Sequence, residues 1–100
     1  MFFLTTSTYP ADKANEVAAK FQKVTATPLP PFIKRLYVLT GPAGEAGIKV
    51  VGLYEVAEDK VGDGFKELSK YYIQFYDIVG FRYSIEPMIT AQEAIPLLKR

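Results

Sequence analysis

Ile33-Lys34-Arg35-Leu36-Tyr37-Val38-Leu39-Thr40 and, one loop later, Ile48-Lys49-Val50-Val51-Gly52-Leu53-Tyr54-Glu55-Val56 carry bulky apolar groups at odd and even positions alike. Successive side chains of a strand point to opposite faces, so a strand that is apolar at both parities needs cover on both sides. The loop between them, Gly41-Pro42-Ala43-Gly44-Glu45-Ala46-Gly47, is longer than a tight two-residue turn and reads as the loop of a β-hairpin. It does not read as a phosphate cradle, because such a loop opens a helix and here a β-rich run follows.

Working outward, Phe2 to Thr8 is rich in Phe and Thr and reads as a first strand. Pro10 suits the first turn of a helix, where its missing N–H costs nothing, and Asp12 complements the helix dipole. Ala14, Val17, Ala18, Phe21 and Val24 then recur at helical spacing, with Lys13, Glu16, Lys20 and Lys23 opposite them. Thr27-Pro28-Leu29-Pro30-Pro31-Phe32 is an extended connector. Its Pro28/Pro31 spacing matches a PxxP ligand, but a stiff loop that aims the next strand accounts for it.

Asp59 to Val79 is the second helix expected, with Val61, Phe65, Leu68, Tyr72, Phe75, Tyr76 and Val79 on its buried stripe and Gly80 ending it. Tyr71 and Ile73 flank that stripe. Gly62 and Gly64 weaken its first turns. Phe81, Tyr83 and Ile85 alternate with Arg82, Ser84 and Glu86 in a last strand, which Pro87 confines to a sheet edge. Thr90-Ala91-Gln92-Glu93 reads as a capping box opening a short helical turn that Pro96 interrupts. Ile95, Leu97 and Leu98 make this tail apolar.

The composition, 49% hydrophobic and 23% charged, is that of an ordinary folded chain. Its 100 residues fit one domain, residues 1–100, with 88–100 as a C-terminal arm. Cysteine and histidine are both absent, which excludes disulfides, thiolate catalysis and Cys-based zinc, and removes the commonest neutral-pH acid–base group. No metal site and no cofactor is expected. A net charge of +1 gives no pull toward nucleic acid or anionic membrane. With no apolar run near the roughly 18 residues of a membrane helix and no basic leader, the expectation is a cytoplasmic chain without membrane association.

Strand, helix, strand, strand, helix, strand: with right-handed crossovers and a paired central hairpin, this order predicts an α+β, ferredoxin-like βαββαβ fold. A four-stranded antiparallel sheet has both helices on one face, the first and third strands central, and a short C-terminal helical arm. Phe81, Tyr83 and Ile85 are assigned to the helices and Arg82, Ser84 and Glu86 to the open face. Arg35, Tyr37 and Tyr54 are assigned to the open face too, an assignment that a one-residue bulge reverses. Either way, each strand of the hairpin puts large apolar groups on the open face, so a second copy of the chain is the expected cover.

In element order, length and doubly apolar hairpin, the chain resembles the dimeric α+β barrel superfamily from Phe2 to about Glu86. That resemblance implies a homodimer paired sheet to sheet, with the apolar tail reaching onto the partner. The superfamily includes cofactor-independent oxygenases, haem-degrading enzymes, lactone isomerases and small-molecule sensors. Many of its enzymes depend on a His, which this chain lacks, and no family motif transfers a catalytic residue.

The expected ligand site is therefore a polar and aromatic cavity. Arg35 and Arg82 bind a small anionic or aromatic ligand, Tyr37 and Tyr54 orient it, and Glu86 is the candidate base if buried. A structural reading of the same residues pairs Arg82 with Glu86 and makes the tyrosines interface filler. The leading function is a homodimeric module that binds a small molecule or a protein partner without classical catalytic machinery. The alternative is a cofactor-independent isomerase or oxygenase acting on a small acidic or aromatic substrate. An RNA-binding domain shares the element order and would use Phe3 and Tyr54 as stacking aromatics. The run Ile48 to Tyr54 and the near-zero charge both argue against it.

Overall fold

The computed structural model describes residues 1–98; the last two positions of the expected arm lie outside the described residues. Strand β1 (Phe2–Tyr9) leads through a 3-10 turn into helix α1 (Ala14–Thr25). Strands β2 (Ile33–Pro42) and β3 (Ile48–Val56) form the hairpin, followed by helix α2 (Val61–Ile73), strand β4 (Arg82–Met88) and helix α3 (Ala91–Leu98). The sheet is antiparallel with order β2-β3-β1-β4, the ferredoxin-like arrangement, with β1 and β3 central and Pro87 on an edge strand.

The alternation along β1 is unbroken: Phe3, Thr5, Ser7 and Tyr9 are buried under the helices, while the residues between them are half-buried on the open face. Register carries this pattern across the sheet. Gly52, Tyr54 and Val56 of β3 face the helices, as do Tyr83 and Ile85 of β4, and Val51, Leu53, Arg82, Ser84 and Glu86 face away.

Strand β2 breaks the pattern. Arg35 pairs with Tyr54, but Tyr37 pairs with Leu53, the next residue back along β3. One extra residue, Leu36, is accommodated there as a bulge, and the parity inverts across it. Ile33 and Arg35 therefore face the helices, as do Val38 and Thr40 beyond the bulge, while Tyr37 and Leu39 face away. This corrects two assignments. Arg35 and Tyr54 lie on the helix side, Tyr54 only 1% exposed, whereas Tyr37 stays on the open face.

Helix α2 also departs from expectation. It stops at Ile73, and the amides of Phe75, Tyr76 and Ile78 each bond the carbonyl three residues back. Tightening the coil to about three residues per turn rotates the stripe. Ile78 becomes buried, while Tyr76 and Val79, expected inside, are exposed. Tyr71 joins the core beside Tyr72 and Phe75.

The capping box forms as read. The Thr90 amide donates to Glu93 Oε1 and the Glu93 amide to Thr90 Oγ1, each at 3.2 Å. The helix it opens continues through Pro96 rather than breaking there. None of its residues is buried, and Ile95, Leu97 and Leu98 are exposed. The radius of gyration, 15.0 Å, exceeds the roughly 13 Å of a compact domain of this length, in keeping with an arm that stands off the body. Among the described residues, no helix is long and apolar enough to cross a membrane.

Candidate functional site

Beneath the helices, four hydroxyls and a guanidinium gather where β1, β2, β3 and α2 meet. Gly52 makes room for this cluster: a β-carbon there would come within 2.6 Å of Thr5 Oγ1 and 2.9 Å of the Tyr54 ring. Tyr54 can therefore lie flat over β3 and bring its hydroxyl to that of Tyr72 at 3.1 Å. The Tyr72 hydroxyl also meets Thr5 Oγ1 at 2.8 Å, and Thr5 Oγ1 donates to the Gly52 carbonyl at 3.4 Å.

That carbonyl can only accept, which sets the direction of the whole chain. Tyr54 donates to Tyr72, Tyr72 to Thr5, and Thr5 to Gly52. Burial pushes the Tyr72 phenol well above its ordinary pKa, so it remains a donor at neutral pH.

Tyr71 stands beside this chain but outside it. It is only 6% exposed, its ring packs edge-on to Tyr72 with centroids 5.0 Å apart, and its hydroxyl has no hydrogen-bond partner among the described residues. Burial pushes its pKa up to about 12, against the opposing pull of the Arg35 guanidinium, which acts both through its charge and through its approach to the hydroxyl oxygen. The Arg35 guanidinium carbon lies 5.6 Å from the centroids of both the Tyr54 and Tyr71 rings, a cation–π position at the sheet edge.

A cavity of about 30 Å³ lies in this cluster, with Ser7, Tyr54, Tyr71 and Tyr72 in its wall. It adjoins a cleft of about 320 Å³ between α1 and the hairpin, and the two share Tyr9, Val17, Phe21, Val38 and Val50. The bulge is responsible for the cleft, since it turns Val38 to the helix side. There Val38 and Phe21 remain 42% and 39% exposed as walls of the cleft.

The site residues expected from sequence are thus divided by the sheet. Arg35 and Tyr54 are together on the helix side. Tyr37, Arg82 and Glu86 are on the open face, all exposed. Arg82 and Glu86 are four residues apart along one strand, roughly 13 Å, and no ion pair joins them among the described residues. Arg82 instead lines a separate hollow of about 420 Å³ with Thr8, Pro10 and Glu45. Phe3 and Tyr54, the aromatics an RNA platform would need, are buried beneath the helices.

Sequence reasoning missed Thr5, Ser7 and the roles of Tyr71 and Tyr72. One signal was present: Thr and Ser alternate into the apolar face of β1, and buried hydroxyls require partners.

No protein-family model matches this chain, and no curated protein matches it. Among solved structures it is similar to the C-terminal domain of the MgtC protein from Mycobacterium tuberculosis, at 14% identity over 90% of both chains with a TM-score of 0.47. It is also similar to a formyltetrahydrofolate deformylase from Pseudomonas putida KT2440, at 9% identity with a TM-score of 0.48. That match covers 87% of this chain and 28% of the deformylase.

Proposed function

We propose that this protein is a homodimeric small-molecule-binding module whose ligand enters the cleft between α1 and the β2–β3 hairpin. The observation that carries the binding reading is the buried, unpartnered hydroxyl of Tyr71, a residue of the inner cavity's wall. A buried phenol without a partner forfeits a hydrogen bond, a cost that a bound polar group removes. The cleft's volume falls at the small end of the roughly 300–1,000 Å³ typical of ligand sites, and its walls are mainly apolar with a few hydroxyls, the usual make-up of such sites.

Self-association is supported by the opposite face. Tyr37 and Leu39 are each 63% exposed there, beside half-buried Phe2, Leu4, Val51 and Leu53 and exposed Met88. Exposed apolar groups across the sheet, together with an apolar arm none of whose residues is buried, are the kind of surface that marks an association site. A face-to-face pairing about a two-fold axis, as in the dimeric α+β barrels, covers it with its own copy.

Two measurements test the two halves separately. In a fragment screen followed by NMR, a binder should shift the methyl signals of Val17, Val38 and Val50 saturably; a screen that leaves them unmoved overturns the ligand site. Sedimentation at micromolar concentration should show a dimer, and a well-folded monomer there overturns the sheet pairing.

A further inference from the structure

We infer that the ligand is a neutral compound with a broad apolar body and one hydrogen-bond acceptor, typically a carbonyl, and that Tyr71 is the residue that selects it. This inference rests on the binding reading above and specifies the chemistry of that site.

The inner cavity, about 30 Å³, has room for about two water-sized groups, whereas the cleft outside it is some ten times larger. A molecule filling both has a broad body in the cleft and one small head within. The body meets Val17, Phe21, Val38 and Val50, and so is apolar.

Tyr54, Tyr72 and Thr5 each use their single O–H in the chain that ends on the Gly52 carbonyl. Tyr71 alone among these phenols keeps its O–H free, and burial holds the proton in place far above neutral pH. The incoming head must therefore accept. Ser7 shares the wall, and a serine hydroxyl turns to donate or accept as needed, so a carbonyl oxygen with two lone pairs suits the pair.

A carboxylate head would shed its water in the inner cavity, whose wall does not include Arg35, and the Arg35 guanidinium is already engaged with the Tyr54 and Tyr71 side chains. A buried charge without a charged partner is heavily penalised, which favours a neutral acceptor.

The test uses three probes of similar shape: acetophenone, benzoate and ethylbenzene. Each is titrated by NMR into the wild-type chain, into Tyr71→Phe and into Val38→Trp, which plugs the cleft. Acetophenone should bind about three- to tenfold more tightly than ethylbenzene and benzoate, the span of one hydrogen bond. Tyr71→Phe should bring acetophenone to the level of ethylbenzene without weakening ethylbenzene, and Val38→Trp should weaken all three.

Benzoate binding most tightly, ethylbenzene matching acetophenone, or an unchanged preference in Tyr71→Phe would each overturn the inference and leave the binding reading standing. Failure of all three probes to shift Val17, Val38 and Val50 would overturn both. If Tyr71→Phe does not fold, the wild-type ranking decides alone.

Discussion

Gly64 of α2 rests directly on Val56 of β3: a β-carbon at position 64 would lie 2.5 Å from one Val56 γ-carbon and 3.0 Å from the other. The helix can settle this close to the sheet only because position 64 has no side chain. Gly62, two residues earlier and on the exposed side, has nothing within 4 Å of the same construction. The two glycines therefore respond oppositely to alanine. Gly62→Ala should stabilise by about 0.5–1 kcal/mol through helix propensity alone. Gly64→Ala should destabilise by about 1–3 kcal/mol, because Val56 is itself buried and cannot yield without disturbing the core. Urea unfolding of both variants measures the contrast, and equal signs would contradict the packing described.

The paired tyrosines give a second contrast. Tyr72→Phe removes the middle of the hydroxyl chain and leaves the Tyr54 hydroxyl without its acceptor in the core, at an expected cost of about 1–3 kcal/mol. Tyr71→Phe removes a hydroxyl that bonds nothing, so its unfolding free energy should be unchanged or slightly higher. Midpoints from the same denaturant series separate the two outcomes.

Alkaline pH acts through the same residues. Tyr71 and Tyr72 both titrate above the ordinary 10.0 in the folded chain, Tyr71 at about 12. Folded, they hold protons that the unfolded chain has released, so raising the pH favours unfolding. Their contribution should be intact below about pH 10 and should fall as the pH climbs toward 12. Absorbance at 295 nm should show a late ionisation in the folded chain that Tyr71→Phe and Tyr72→Phe each diminish, and its absence would refute the burial of these two phenols.

On the open face, Leu39→Lys places a charge in the proposed interface. Across a two-fold axis each substitution counts twice, and burying one leucine is worth roughly 1.5–3 kcal/mol. The dimer dissociation constant should therefore rise at least tenfold by sedimentation, while the monomer keeps its circular dichroism.

The topology was legible because each element carried its own marker. Pro10 opened the first helical segment, the glycine-rich loop joined the hairpin, and Pro87 marked an edge strand. The split of the site across the sheet was not legible, for a physical reason. Around the bulge, Leu36 and Val38 are apolar at one parity and Tyr37 and Leu39 at the other, so no polar position records the shift. Tyr54 was equally ambiguous, since a tyrosine suits an open face until a partner for its hydroxyl appears, and Tyr72 lies 18 residues away in sequence. By contrast, Arg82, Ser84 and Glu86 alternate with apolar residues, and β4 shows the expected parity.

The irregularity at Leu36 makes the number of residues in β2 as consequential as their identity. Removing a residue beyond the bulge while the bulge itself is kept would exchange what the strand's far half shows to solvent with what it shows to the helices, whereas removing Leu36 would restore plain alternation with Tyr37 still opposite Leu53. A comparable trim in the 43–47 loop would leave both linings where they are. Any redesign of this chain can vary spelling within β2 far more freely than it can vary count.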